Sequence, residues 1–308
     1  MKIFIPNLNE SWVVDRFRNE FIVKNHNYIS NSIKKSDVIW IISPWTWKKL
    51  PKRHLKNRTV VCTIHHLEER DFNEAGLDNF KKLDKYVNYY HAISEKTKSD
   101  LEKLTKKKIF TFPFWINSEI FFEIKNKKSL KSKYSFYENE YLIGSFQRDT
   151  EGKDLISPKL IKGPDQFYEI VSEMNKKLKN LTVVLTGYRR QYLIAKFDEN
   201  NINYKYFENI STTELNELYN CLDMYVVSSR KEGGPQAIME CAITNTPIIS
   251  TDVGIASEIL SSESIFDMTS YKNARANTEH AYKNSKKYAD DNGMSLFINM
   301  FSEISEKY

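Results

Sequence analysis

Short apolar runs rich in β-branched residues alternate with amphipathic stretches along the chain, and this alternation limits the folds that it can adopt. The runs that predict buried strands lie at 2–6, 38–43, 59–64, 90–94, 108–113, 141–146, 181–187, 204–208, 224–229 and 246–251. The stretches that predict helices include 95–105, 163–180, 211–222 and 234–243. Strands that alternate with helices form βαβ units, whose strands run parallel in one sheet. The pattern therefore predicts an α/β fold built on parallel sheets.

The length of the chain favours two domains, because 308 residues exceed the size that one hydrophobic core usually serves. The Lys- and Asn-rich segment 123–134 is the best candidate for a linker. We therefore expect an N-terminal domain over 1–122 and a C-terminal domain over 123–292. Apolar residues at helical spacing over 293–308 predict a final helix that packs back toward the N-terminal domain.

The cysteines and the N-terminal residues indicate where such a protein works. Cys62, Cys221 and Cys241 are far apart, without the spacing typical of a disulfide framework or a zinc site. The first residues lack the apolar core of a signal peptide, and no apolar run reaches the roughly 20 residues that span a bilayer. We expect a cytoplasmic protein, either soluble or peripheral at the inner face of a membrane.

Positive charge is concentrated in the first part of the chain. Residues 1–130 hold 25 Lys and Arg against 15 Asp and Glu, whereas residues 131–308 hold 21 against 25. All five tryptophans also lie within residues 1–130. Such a surface fits anionic lipid headgroups or an anionic acceptor, and the solvated charges of a lysine-rich sequence explain it equally well. Clustered Arg and a recognisable nucleic-acid-binding motif are both missing, so nucleic acid is not an expected partner.

A glycine pair precedes a helix in the second half of the chain. Gly233 and Gly234 follow the strand 224–229, and the helix is predicted to begin at Pro235, where a missing N–H group costs least. Backbone N–H groups at such a helix start can bind phosphate or sugar oxygens. The segment is therefore a candidate binding site for phosphate or sugar oxygens.

Two glutamates flank the start of this helix. Glu232 lies in the turn, where its carboxylate can accept hydrogen bonds from sugar hydroxyls, and Glu240 lies about a turn and a half into the helix. The pair, followed by the strand 246–251 and then by Gly254 and Glu258, resembles the family-four retaining glycosyltransferases of the GT-B fold. By that resemblance, Glu232 binds the transferred sugar and Glu240 binds the ribose of the nucleotide.

The resemblance implies both a fold and an activity. The fold is GT-B, with two Rossmann-like parallel-sheet domains facing across a cleft, and the N-terminal domain of this chain is short for it. The activity is retaining transfer of a sugar from a nucleotide-diphosphate sugar to a hydroxyl acceptor, in surface polysaccharide or glycan biosynthesis. No cofactor or metal is expected, and the sequence has no DxD motif for a divalent ion. A non-catalytic nucleotide-sugar-binding subunit and a GT-B-fold epimerase are the alternatives.

A second polar loop follows the strand 141–146. Arg148 opens this loop, and Lys153 and Lys162 follow before the helix that begins near Gly163. Fixed cations at such a loop can neutralise a diphosphate leaving group without a metal ion. Relatives commonly show an Arg shortly before a Lys-Gly pair. Lys162 resembles that pair in kind, and Lys153 matches the usual distance from Arg148, so Arg148 and Lys162 are favoured and Lys153 is the alternative.

The remaining candidates rest on resemblance to neighbouring segments of the family. The segment 204–211 is similar to the segment beside the nucleobase, which implies backbone contacts around Phe207 and Glu208. The family often has Thr-x-His after a strand, as in Thr63-Ile64-His65, which implies that His65 touches the transferred sugar or the acceptor. His66 takes that place if the turn is shifted by one residue.

The first strand shows a departure from the family. Many relatives have a glycine-rich loop there, whereas this chain reads PNLNESWVVDRF without a glycine. A donor-binding role is therefore not expected for this loop, and Asn7, Asn9 and Trp12 are candidates for contacts with the acceptor instead.

Overall fold

The computed structural model describes residues 1–7 and 13–306. The chain divides into two compact units. The first unit comprises Met1–Trp115 and Asp291–Tyr308, and the second unit comprises Ile116–Asp290. Asn9 and Trp12, both proposed for the acceptor, lie outside the described residues, and Asn7 is exposed.

Each unit is built on a parallel sheet. The strands are β1 (Ile3–Phe4), β2 (Val38–Ile41), β3 (Thr59–Ile64), β4 (Tyr89–Ala92), β5 (Ile109–Thr111), β6 (Tyr141–Ser145), β7 (Leu181–Thr186), β8 (Tyr204–Phe207), β9 (Met224–Val227), β10 (Ile248–Thr251) and β11 (Ile265–Phe266). The first sheet has the order β1-β2-β3-β4-β5 and the second has the order β11-β10-β9-β6-β7-β8. Their strand pairs are parallel, as predicted from the alternating pattern.

Helices connect the strands and cover the sheets. They are α1 (Val13–Lys24), α2 (Lys52–Asn57), α3 (Glu74–Asp84), α4 (Glu95–Leu101), α5 (Lys127–Lys133), α6 (Pro164–Asn175), α7 (Gln191–Glu199), α8 (Thr212–Cys221), α9 (Gln236–Ile243), α10 (Ala256–Ile259), α11 (Thr278–Ser285) and α12 (Asp290–Ser305). A capping box begins α8, because the Ser211 hydroxyl accepts from the Glu214 N–H and the Glu214 carboxylate accepts from the Ser211 N–H. Within the described residues, no helix is long and apolar enough to cross a membrane.

The first unit buries an aromatic cluster between its sheet and helices α1 and α12. Phe297 of α12 is fully buried, with its ring centroid 5.0 Å from that of Trp40 and 5.2 Å from that of Trp115. Phe21 of α1 joins the same cluster. These contacts explain why α12 belongs to the first unit, although the second unit separates α12 from the rest of the first unit in the sequence.

A buried polar chain runs through this core. The Trp40 indole N–H donates to Thr63 Oγ1 (2.9 Å), the Thr63 hydroxyl lies 3.1 Å from His91 Nδ1, and His91 Nε2 donates to the carbonyl of Phe112 (2.8 Å). Because these groups satisfy one another, the polar atoms are buried at little cost. Burial lowers the pKa of His91 to about 3, so the ring is neutral. Thr63, the first residue of the Thr-x-His motif, therefore serves the core.

The segment favoured as a linker, 123–134, is part of the second unit, because most of it forms α5. The division between the units lies at Trp115–Ile116, whereas the sequence analysis placed it after residue 122. Lysine side chains that suggest a solvated linker are paired here. Lys131 is 7 % exposed, and its Nζ lies 3.1 Å from Asp223 Oδ2, which also pairs with Lys127.

We expect Phe297→Ala to destabilise the first unit by about 3–5 kcal/mol, because it leaves a cavity among Trp40, Trp115 and their neighbours. All five tryptophans lie within Met1–Trp115, so tryptophan fluorescence during urea unfolding reports on this unit. Val23→Ala is the control, since Val23 is 73 % exposed and its truncation should change stability by less than about 0.5 kcal/mol. Equal losses in the two variants would show that Phe297 does not hold α12 in the core.

Candidate active site

Two loops of the second unit meet at the carboxyl ends of strands β6 and β9. Gly163, between a 3-10 turn (Leu160–Lys162) and α6, has a φ of +62°. A Cβ atom at this position would lie 1.8 Å from the carbonyl oxygen of Ser228, directly after β9. Only glycine permits both this backbone conformation and this approach. The Lys-Gly element predicted from the sequence is therefore a contact point between the two loops.

Lys162 and Glu232 face each other across this contact. The Lys162 ammonium forms an ion pair with Glu232 Oε1, and their side chains are 25 % and 9 % exposed. The Ser229 hydroxyl donates to the same Oε1 (3.1 Å). The structure thus brings together two residues, 70 positions apart, that the sequence analysis named for the diphosphate and the sugar.

Further hydrogen bonds fix the two loops to each other. Gln147 donates from Nε2 to the carbonyl of Lys162 (2.9 Å) and accepts from the Ser229 hydroxyl at Oε1 (3.2 Å). Arg230 binds both carboxylate oxygens of Asp165 at 2.8 Å and 2.6 Å, a bidentate pair. Gln147, Ser229 and the Arg230–Asp165 pair were not identified from the sequence, where single polar loop residues carry no distinguishing pattern.

The loop that precedes α9 makes a second close contact, with the loop that follows β10. A Cβ atom on Gly254, whose φ is +51°, would lie 2.1 Å from the carbonyl oxygen of Gly233, so the loop after β10 packs against the loop after β9. Gly233 is buried and Gly234 is half-buried. Pro235 caps α9, which begins one residue later than predicted, at Gln236. The helix start therefore lies at the carboxyl end of the sheet, where its first N–H groups have no partners within the helix.

Glu240 lies in α9 and is 5 % exposed. Its Oε2 accepts a hydrogen bond from the Tyr219 hydroxyl (2.9 Å). Burial and the nearby Glu240 carboxylate raise the pKa of Tyr219 well above its usual range, so Tyr219 remains the donor. Tyr219, on α8, is a partner of Glu240 that the sequence did not reveal.

Arg148 and Lys153 are both exposed in the loop that follows β6. Among the described residues, neither forms a hydrogen bond or ion pair with another side chain. Asp149, which directly follows Arg148, is buried and forms an ion pair with Arg190 at 3.0 Å. The two side chains are 2 % and 0 % exposed. Arg190 also donates to the carbonyl of Thr186 (3.3 Å). This buried pair fixes the backbone immediately after Arg148, and the sequence analysis missed it.

Two opposing effects act on the pKa of the Asp149 carboxyl. Burial raises its pKa to about 6, while the charge and hydrogen bond of Arg190 and the N–H groups of Tyr192 and Leu193 oppose the rise. The carboxyl is therefore ionised at neutral pH and balances the buried guanidinium charge.

Phe207 and Glu208 lie at and after the end of β8. The Phe207 carbonyl accepts from the Gly187 N–H (3.2 Å), and its ring packs edge-on against that of Tyr134 (5.6 Å). Glu208 is exposed. The backbone oxygen of Phe207 is thus already used within the sheet, and Glu208 is the more accessible of the two residues.

His65 directly follows β3 in the first unit and is 8 % exposed. Its Nε2 lies 2.9 Å from the carbonyl of Ile42, and because a carbonyl only accepts, Nε2 carries the proton. Burial lowers the pKa of His65 to about 4, and His66 adds to the effect, while the hydrogen bond to Ile42 opposes it. The ring lies between Trp45 and Phe114, at centroid distances of 5.9 Å and 5.8 Å. Its Nδ1 is therefore an acceptor at neutral pH.

His66 has different surroundings. Its Nε2 lies 3.2 Å from Glu68 Oε1, and its side chain is 30 % exposed. His65 and His66 thus point to different environments, one apolar and the other ionic.

Comparison with known proteins finds a family to which part of the chain is similar. Residues 156–291 match the family Glycosyl transferases group 1. Lys162, Glu232 and Glu240 lie inside the matched segment, whereas Arg148 and Lys153 precede it. The resemblance inferred from the sequence is confirmed. A comparison with curated protein sequences finds no match.

Several solved structures have the same fold over nearly the whole chain. HepE from Anabaena has a TM-score of 0.73 at 10 % identity, with 98 % of each chain covered. Sucrose-phosphate synthase from Thermosynechococcus elongatus has a TM-score of 0.72 at 13 % identity, with 98 % of this chain and 81 % of that chain covered. WaaG has a TM-score of 0.64 at 11 % identity, with 94 % of each chain covered. These similarities concern the fold, and the predicted GT-B class is confirmed.

We expect Asp149→Asn to destabilise the second unit by about 3–5 kcal/mol, because it leaves the Arg190 charge buried without a counter-charge. Urea unfolding followed by far-UV circular dichroism measures the loss, since this unit contains no tryptophan. The double variant Asp149→Leu/Arg190→Met removes both charges and should recover most of the stability. If the double variant were as unstable as Asp149→Asn, the unpaired charge would not be the cause.

We expect the first unit to lose stability as the pH falls from about 6.5 toward 4, because the unfolded state binds a proton at His65 that the folded state excludes. Each such histidine adds a slope of up to about 1.4 kcal/mol per pH unit. His65→Gln should remove one such contribution and leave that of His91, measured by tryptophan fluorescence during urea unfolding. His26→Gln, at an exposed site, is the control and should leave the slope unchanged. An unchanged slope in His65→Gln would contradict the neutral, buried state of the ring.

Proposed function

We propose that this protein transfers a sugar from a nucleotide-diphosphate sugar to a hydroxyl acceptor, with retention of configuration and without a metal ion. The observation that carries the proposal is the ion pair between Lys162 and Glu232 at the meeting loops of the second unit. A cation for the diphosphate and a carboxylate for the sugar hydroxyls then lie next to each other. The diphosphate of the donor is bonded directly to its sugar, so the groups that bind these two parts must also lie next to each other.

Structural neighbours support a nucleotide-sugar donor. One structure of HepE is in complex with UDP and glucose, and another is in complex with UDP-glucose. WaaG is described as a glycosyltransferase involved in lipopolysaccharide biosynthesis. Since the fold of this chain matches both, a UDP-sugar is the first donor to test and a surface glycan is the first class of acceptor to consider.

In the proposed reaction, the bond between the anomeric carbon and the diphosphate oxygen breaks while the acceptor oxygen bonds to the same face of that carbon. The acceptor proton passes to the leaving phosphate oxygen, so atoms and charge balance. Lys162 and Arg148 stabilise the negative charge that develops on the diphosphate, and Lys153 is the alternative cation. Backbone N–H groups of Gly234 and of the start of α9 supply further hydrogen bonds.

The carboxylates position the donor. Glu232 accepts hydrogen bonds from the sugar hydroxyls, and Glu240, held by Tyr219, accepts from the ribose. Glu208, exposed directly after β8, would contact the base. From the first unit, His65 would act as a neutral hydrogen-bond partner for the acceptor or the sugar, since its pKa of about 4 excludes a charged ring at neutral pH. The cytoplasmic location and the contact with a membrane stay predictions.

We expect one member of a panel of UDP-, GDP-, ADP- and CMP-sugars to stabilise the protein against thermal unfolding in the presence of EDTA. A donor at a hundredfold excess over its dissociation constant adds about 2.7 kcal/mol of stability. Stabilisation that needs added Mg²⁺ would contradict metal-independent binding. The absence of any stabilising donor would contradict the assignment of the donor site.

We expect Glu232→Gln to lower the rate of sugar transfer about a hundredfold or more, because the amide cannot replace the charge that the reacting sugar requires. The measurement is release of the nucleoside diphosphate in the presence of acceptor. Glu169→Gln, at an exposed position of α6, is the matched control and should transfer at the wild-type rate. Donor binding without transfer in the wild-type protein, across an acceptor library, would favour a non-catalytic binding subunit.

A further inference from the structure

The first unit carries a run of basic residues that the proposed site does not use. Residues 34–67 contain eight Lys and Arg but one acidic residue, Asp37, and residues 38–67 contain no acidic residue. We call the eight cations the basic strip. Its members are Lys34, Lys35, Lys48, Lys49, Lys52, Arg53, Lys56 and Arg58.

The fold places the basic strip along one face of the first unit. Lys48 and Lys49 end a 3-10 helix (Pro44–Lys49) that follows β2, and α2 then leads back to the start of β3. At that end, the Arg58 guanidinium donates to the carbonyl of Lys34 (2.7 Å). The strip therefore extends over the length of β3, roughly 20 Å. Leu55 of α2 and Trp47 are buried beneath it, so the charged side chains face outward.

The cations of the strip are close enough to influence one another. Desolvation and the charges of Arg53, Lys34 and Arg58 lower the pKa of His54. Mutual repulsion of this kind destabilises a folded protein unless an anion relieves it.

Among the described residues, no carboxylate forms an ion pair with any member of the strip. Other lysines of the same unit do have such partners: Lys98 pairs with Glu95 (3.2 Å), and Lys103 pairs with Asp100 (2.7 Å). Solvated lysines of a lysine-rich sequence would be paired equally often inside and outside the strip. The eight cations of the strip are therefore available to an anion supplied from outside the chain.

One end of the basic strip, at Lys48, is connected to His65 through Trp45. Trp45 lies in the same 3-10 helix as Lys48 and is 55 % exposed, and its ring centroid is 5.9 Å from that of His65. Both residues lie at the carboxyl ends of their strands, β2 and β3. An aromatic face at this position can stack on a sugar ring, while the cations lead away from it along the unit.

We infer that the basic strip binds a linear polyanionic polymer, with phosphate or carboxylate groups at regular intervals, whose terminal unit stacks on Trp45 near His65. A lipid surface fits less well, because membrane insertion needs several exposed apolar side chains and Trp45 is the one exposed large apolar residue of 34–67. The identification of this polymer as the acceptor rests on the proposed function. The binding of the polymer to the strip is independent of that function.

The test compares two variants of equal charge. The strip variant is Lys48→Gln/Lys49→Gln/Lys52→Gln/Lys56→Gln, and the control variant is Lys82→Gln/Lys98→Gln/Lys103→Gln/Lys108→Gln, whose lysines are paired with carboxylates in the same unit. Binding of fluorescent inorganic polyphosphate, and of hyaluronan as the carboxylate polymer, is measured by anisotropy at increasing NaCl concentrations. Neutral dextran serves as the uncharged polymer.

We expect the strip variant to bind at least one of the two anionic polymers tenfold or more weakly than the wild type. Its dependence of log K on log salt should be shallower by about three, since each lost contact contributes roughly 0.7 to 0.9. The control variant should bind within about threefold of the wild type. Trp45→Ala should weaken hyaluronan, which has sugar rings, more than polyphosphate, which has none.

Three outcomes would overturn the inference. Equal losses in the strip and control variants would indicate binding by net charge alone. Binding to vesicles of phosphatidylglycerol and phosphatidylcholine, without binding to either polymer, would assign the strip to a lipid surface. Failure to bind any anionic probe would leave the strip without a partner. Donor stabilisation, measured in the same variants, is expected to be unchanged, so that a failure of the proposed function is recognised separately.

Discussion

The contact between the Lys-Gly element and the end of β9 determines the geometry of the candidate site. Gly163 allows the two loops to approach so closely that a Cβ atom would collide with the Ser228 carbonyl. This approach sets Lys162 against Glu232, and the hydrogen bonds of Gln147 and Ser229 hold the loops in place. A charged pair, largely shielded from water, results at the edge of the sheet.

Much of this arrangement could be predicted from the sequence, because strands and glycine motifs leave local signals. Strands β2, β3, β7, β9 and β10, and the positions of Gly163 and Gly233 in the turns that precede helices α6 and α9, follow from local patterns. The Asp149–Arg190 pair could not be predicted, since its members are 41 residues apart and each resembles an ordinary surface charge. Likewise, the lysines of α5 suggest a solvated linker until Asp223, far along the chain, is seen to pair with them. Two-residue β11 is too short to give a pattern.

The two units use charge in different ways. In the second unit, three cations near the site are balanced, Lys162 by Glu232, Arg190 by Asp149 and Arg230 by Asp165. Arg148 and Lys153 have no such side-chain partner among the described residues. In the first unit, the basic strip lacks such partners among the described residues, while His65 is buried and neutral. Cations that already have partners within the protein suit the proposed donor, because its diphosphate binds and then leaves again. An unbalanced surface suits an anion that stays bound along its length.

If the proposed function holds, Lys162 must exchange Glu232 for the diphosphate when a donor binds. The most direct test is to measure, by calorimetry, how Glu232→Gln changes the affinity for the free nucleoside diphosphate and for the intact nucleotide sugar. Because the variant frees Lys162 but loses a contact to the sugar, we expect tighter binding of the nucleoside diphosphate and weaker binding of the nucleotide sugar. Equal weakening of both ligands would contradict this account, since Glu232 would then support the whole loop and not compete for the lysine.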